Sequence, residues 1–211
     1  MTRARSVGTV ILFGVALAAF AKVTVAWAAE TNDLREFRVG MNAADLPQSG
    51  YAGFGCAADP GRTLSNWQDW RQCPPDLSGL RVVRFRYDPA MSPDGTKVAG
   101  HPVVLALVMD DAGRVEAVQI ETDPNARLFT RKKAFLLGLQ AKSRYGTDGW
   151  ICTEDSPTAD HQPVGEIFVK EQCKKTLAGR EVRIERSLFR HPNQDLKSFV
   201  SNTRILILWI P

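Results

Sequence analysis

The chain has 211 residues, 44% of them hydrophobic, with 27 Lys and Arg against 23 Asp and Glu. This ordinary apolar content, without a low-complexity tract, suits one domain or two small ones sharing a core. Arg3, Arg5 and Lys22 supply most of the excess charge, and without them 24 cations face 23 acids; so even a balance argues against nucleic-acid binding, because polyanion binders concentrate unbalanced Lys and Arg on one surface.

The first 28 residues have the order of a secretory leader. Arg3 and Arg5 form a cationic start, Val7 to Ala21 an apolar stretch, and Ala26-Trp27-Ala28 a small-x-small cleavage site. The apolar run is shorter than the about 20 residues that cross a bilayer, and no cysteine follows the cleavage site to carry a lipid. The expectation is a cleaved signal peptide over 1–28, a periplasmic or secreted protein, and no stable membrane anchor.

Beyond the leader, Arg81 to Tyr87 alternates, with Val83, Phe85 and Tyr87 on one side and Arg84 and Arg86 on the other, as a strand with one solvated face requires. Val103–Met109 and Val115–Thr122 flank Asp110-Asp111-Ala112-Gly113 and predict an antiparallel hairpin. Asp123-Pro124 then opens a predicted helix. Leu128, Phe129, Phe135, Leu136 and Leu139 cluster on its apolar arc, and Gly146 stops it. Further strands are predicted over Ile167–Val169, Val182–Leu188 and Arg204–Ile210.

Four cysteines, Cys56, Cys73, Cys152 and Cys173, allow three connectivities. An internal repeat selects one. Ser49-Gly50-Tyr51 precedes Cys56 as Ser143-Arg144-Tyr145 precedes Cys152; Arg81-Val82-Val83-Arg84-Phe85 follows Cys73 as Arg180-Glu181-Val182-Arg183-Ile184 follows Cys173. One bridge within each unit gives Cys56–Cys73 and Cys152–Cys173, each adding about 3 kcal/mol by the chain-entropy estimate. The units are expected over 29–123 and 124–211, with a shared core. No C-x-x-C or paired metal-ligand spacing occurs, which makes the cysteines structural.

Catalytic patterns are thin. His101, His161 and His191 are the only histidines, and neither His-Glu-x-x-His nor Gly-x-Ser-x-Gly is present. Asp110 with Asp111 reads as turn chemistry rather than a cation site. No catalytic, cofactor or metal residue is assigned and no cofactor is expected; a carboxylate pair set only by folding stays open. Two surfaces could meet a partner: Arg131, Lys132 and Lys133 on the predicted helix, against an anionic lipid surface or an acidic partner, and Trp67 with Trp70, one helical turn apart, as an aromatic patch. Each has a plainer reading, a solvated helix face for the cations and core for the tryptophans.

The stretches Lys97-Val98-Ala99-Gly100-His101-Pro102, Arg131-Lys132-Lys133-Ala134-Phe135 and Ser143-Arg144-Tyr145-Gly146-Thr147-Asp148-Gly149-Trp150 resemble a group of uncharacterised exported proteins of Gram-negative bacteria. Val39-Gly40-Met41-Asn42-Ala43-Ala44-Asp45-Leu46 resembles the helix start of the BamE-like outer-membrane lipoproteins, and the two-unit layout that of the beta-lactamase inhibitor protein. The resemblance implies tandem helix-plus-sheet units and no particular activity. The expected fold class is α+β, an antiparallel sheet with helices packed on one face. The expected function is a periplasmic, non-enzymatic binding or accessory protein, possible partner an envelope protein; the alternative is a hydrolase with a carboxylate-based site acting on an envelope polymer.

Overall fold

Alternating residues of the chain build one antiparallel sheet, described in a computed structural model over residues 32–195 and 197–211; the leader proposed for 1–28 lies outside the described residues. Its strands are β1 (Tyr51–Cys56), β2 (Arg81–Tyr87), β3 (Lys97–Val98), β4 (His101–Met109), β5 (Val115–Thr122), β6 (Ile151–Glu154), β7 (Val169–Leu177), β8 (Arg180–Arg190) and β9 (Phe199–Trp209). They lie in the order β1-β2-β4-β5-β9-β8-β7-β6, with β3 paired to β4 outside this path. Among the described residues, strand accounts for 42% and helix for 13%.

Side-chain alternation sorts the sheet into two faces. Phe85, Leu105, Ile120, Ile205 and Ile184 follow one another across the strand pairs, and so do Val83, Leu107, Val118, Ile207 and Val182. All ten are buried and belong to the central core cluster, each worth about 2 kcal/mol on removal from water. The predicted hairpin forms as β4 and β5, with Gly113 at φ +86° and Asp110 accepting the Arg114 N–H at 2.8 Å. Asp110 and Asp111 thus act as turn and ion-pair residues, Asp111 bonding Arg81 at 2.9 Å.

The predicted helix is broken. Asp123 accepts the Asn125 N–H at 2.8 Å, but the chain then forms only α1 (Leu128–Arg131), a 3-10 turn at Ala134–Leu136 and α2 (Leu137–Arg144). The break falls at Lys133, whose ψ of 2° leaves the helical ladder and resets its phase. The apolar arc read from the sequence is therefore corrected: Phe129 is 71% and Leu139 44% exposed, while Ala134, Leu137, Gly138 and Ala141 are buried. Small residues win because α2 approaches β8 closely. A Cβ on Gly138 would stand 3.1 Å from Ile184 Cγ2 and 3.0 Å from Arg186 Cδ.

Two other expectations are adjusted. The strand expected at Ile167–Val169 starts at Val169 and runs to Leu177, through alternating charges that hide its pattern. Ala43–Asp45, a 3-10 turn capped by Asn42, occupies the stretch read as a helix start. Cys56–Cys73 and Cys152–Cys173 are both bonded as the repeat suggested, and no described cysteine is free. In the sheet, β4 and β9 flank β5, so the β2–β4 and β8–β9 hairpins lie in mirrored lateral order.

Candidate functional site

Trp67 and Trp70 form no surface patch. The 3-10 helix Trp67–Gln72, capped by the Asn66 side chain, turns both inward to 1% and 2% exposure. Trp67 Nε1 donates to the Pro47 carbonyl at 2.9 Å, satisfying its polar edge, and its ring meets Phe54, Phe85 and Phe37 edge-on at 4.6, 5.0 and 5.5 Å. Trp70 lies under the Gly113 turn, where a Cβ would come within 3.3 Å of its ring. The partner-surface reading of the two tryptophans is corrected: both are core.

Arg131, Lys132 and Lys133 sit elsewhere, at α1 and the break after it. Arg131 is half-buried beside the Phe199 ring at 5.8 Å, its Nε enclosed. Lys132 and Lys133 are exposed, with the Lys133 ammonium 4.7 Å above the Phe129 ring. Lys133 also faces buried His101, whose pKa is lowered by burial first and by this positive charge second. None of the contacts of the tryptophans involves these three cations.

The sheet's other face offers a broader surface. Val82, Val108, Ala117 and Leu208 form one row across the strands; Arg84, Ala106, Gln119, Leu206 and Arg183 form the next; Glu121, Arg204 and Glu185 the third. Ala106 and Ala117 are small enough to be buried between their longer neighbours, while Val82, Leu206 and Leu208 stay half-buried and Arg84, Arg86, Arg183 and Arg204 are exposed. An apolar stripe is thus bordered by guanidinium groups. Lys170 and Lys174 extend it on β7, and cations exceed the carboxylates Glu121, Glu181 and Glu185 on this face. At the β2–β4 end a groove of about 790 Å³ continues it, lined by Arg84, Arg86, Lys97 and Val104, with Asp94 and Asp123 at the edge.

Two buried carboxylates lie off this face, and both are engaged. Glu171 is 4% exposed, accepts from Lys142 at 2.6 Å and is hydrogen-bonded to Arg186. Burial alone would raise its pKa, but the two cationic donors outweigh burial and hold it below the usual value. Glu171 also stands within ligand distance of Cys152 and Cys173, but those sulfurs are bonded to each other, which removes the thiolates a metal needs. Asp33 accepts the Val39 N–H at 2.8 Å through Oδ2 and pairs with Arg180 through Oδ1. Burial is the stronger influence there and raises its pKa.

Asp33 borders a second concavity of about 340 Å³ on the core side of the sheet. Its floor is Leu34, Ile120, Leu137, Ala141 and Ile205, all buried, and its mouth carries exposed Ala99, Gln140 and Arg144. Tyr145, pushed up to about 12 by burial and the Asp33 charge, remains a protonated donor at neutral pH and reaches the Asp33 carbonyl at 3.4 Å.

Sequence reasoning placed Arg84 and Arg86 on the solvated side of a strand but did not join them to Arg183, Arg204 and the leucines of β9, because strand order was not readable. Comparison with protein-family models, curated proteins and solved structures gave no match.

Proposed function

We propose that this is an exported, disulfide-stapled, non-enzymatic binding or accessory protein of the cell envelope, which holds an envelope protein against the arginine-bordered face of its sheet. In this reading residues 1–28 are a cleaved leader, and the short helices pack together on the opposite face. Both disulfides are compatible with an oxidising compartment. The resemblance to exported proteins of Gram-negative bacteria agrees with that location.

The observation that carries the reading is the half-buried stripe of Val82, Leu206 and Leu208 lying beside Arg84, Arg183 and Arg204. Contiguous apolar surface on a sheet attracts a partner, and arginine at its border favours interfaces because its planar fork bonds carboxylates bidentately. The complementary partner surface is acidic with an apolar centre. Asp33 and Glu171, the buried carboxylates, are each occupied by an arginine, which favours a structural role for them over hydrolysis.

Crosslinking in periplasm, comparing the wild type with Arg84→Glu/Arg204→Glu, tests this. One acidic envelope protein should be recovered with the wild type and lost on charge reversal while the fold is retained. Identical recovery from both would contradict the reading.

A further inference from the structure

We infer that His161 and His191 are a chelating pair for one divalent transition-metal ion of the kind that prefers imidazole, Cu²⁺ ahead of Ni²⁺ and Zn²⁺. The pair comes from backbone register. Gln162 and Arg190 form an antiparallel bridge and exchange both N–H···O bonds, at 2.8 and 2.9 Å. The next opposed pair, His161 with His191, is therefore of the non-hydrogen-bonded kind, in which side chains on the same face come closest. Their ring centroids stand 5.3 Å apart, with the planes at 55°.

That spacing suits a shared ion. Two imidazoles with each nitrogen about 2.1 Å from one metal, at tetrahedral or square angles, have centroids roughly 4.5–5.5 Å apart. His191 Nδ1 lies 3.0 Å from the Asp160 carbonyl. A carbonyl only accepts, so Nδ1 carries the hydrogen and the neutral ring keeps its free lone pair on Nε2. A backbone carbonyl behind the ligand atom is the support that metal-ligating histidines commonly have. Here it also ties the two ligands together, because Asp160 directly precedes His161. The His161 ring has no hydrogen-bond partner among the described residues, and both rings are half-buried, within reach of an ion from solvent.

Packing holds the pair from below. Phe189, buried two residues before His191 on β8, meets both rings edge-on, His161 at 4.5 Å and His191 at 5.4 Å. The loop over 158–161 is closed by two bonds, the Thr158 N–H to the His161 carbonyl at 2.9 Å and the His161 N–H to Thr158 Oγ1 at 3.1 Å. Two protein ligands leave the other coordination positions to water. By alternation along β8, Phe189 and His191 fall on the side of Arg183 and Glu185, at one end of the arginine-bordered face. The inference does not rest on that face having a partner, and it is tested on the protein alone.

Titration of the purified, tag-free protein with ZnCl2, followed by imidazole proton NMR, tests the pair. The chain has three histidines, so each ring can be followed by itself. Zn²⁺ should shift His161 and His191 together, saturate at one ion per chain and leave buried His101 unmoved. His161→Asn and His191→Asn should each weaken Zn²⁺ about 100-fold, since losing even a group behind a metal ligand costs about 10- to 100-fold. CuSO4 should displace Zn²⁺, whereas Mg²⁺ and Ca²⁺, which take oxygen ligands, should not. The wild-type shifts need no variant, so misfolding of either substitution leaves the test standing. A shift of one ring without the other, absence of saturation, or equal Zn²⁺ affinity in the wild type and a folded variant would overturn the inference.

Discussion

The two disulfides have loops of similar length, 17 and 21 residues, yet their surroundings differ. Cys56–Cys73 is buried at 2% on both sides, among Trp67, Phe85 and the rest of the aromatic cluster. Cys152–Cys173 joins directly opposed residues of β6 and β7, and every residue of β6 is exposed. A chain-entropy estimate treats the bridges as equivalents of about 3 kcal/mol each. Packing separates them. The first loop is held by its own side chains as well as by sulfur, while the second bridge fastens an edge strand that little else fastens.

Trp67→Ala should have the largest effect on this contrast, lowering stability by about 4 kcal/mol in denaturant unfolding, because it empties the aromatic cluster and leaves the Pro47 carbonyl without its donor. Cys56→Ala/Cys73→Ala should follow, at about 3 kcal/mol from the loop term. Cys152→Ala/Cys173→Ala should cost only about 1 kcal/mol, since β6 then unpairs in the native state too and regains the same loop entropy there. Hydrogen exchange should quicken at Ile151–Glu154 and hardly elsewhere. Equal losses from the two double variants would erase the distinction between the regions.

The acid response sharpens the comparison further. Glu171 has a depressed pKa in the folded protein, so its contribution is present above the unfolded value of 4.5 and is lost as the pH falls through the folded one. Glu171→Gln should cost about 2 kcal/mol at pH 7, leaving Arg186 and Lys142 without their anion, and should flatten the acid limb of the stability curve. His101 acts in the same direction with a smaller effect. Its lowered pKa means that below about pH 6.5 the unfolded chain takes up the proton first and stability falls; His101→Gln should remove that component from stability measured between pH 7 and pH 5.

Local patterns carried the readable part of the fold. Alternation at Val83–Tyr87 and the turn chemistry of Asp110–Gly113 specified β2 and the β4–β5 hairpin, because both depend on neighbours in sequence. The cysteine spacing and the repeated strings gave both bridges. Lys170 to Lys175 concealed β7, since a strand near the sheet edge tolerates charges that resemble a loop. Leu139 and Phe129 share an apolar arc only in a continuous helix, and the break at Lys133 turns a different, smaller set of residues inward. Neither the arginine-bordered face nor the cavity could be read in advance. The first needs β9 placed between β5 and β8, and the second needs five separated segments brought together.

The most direct measurement of the proposed function is site-specific photocrosslinking in the periplasm, with the reactive group placed at Leu206 on the arginine-bordered face or at Lys132 beside α1. A single acidic envelope protein crosslinked from Leu206 and absent from Lys132 is the expected result. Crosslinks to that protein from Lys132 alone, or none from Leu206, would contradict it.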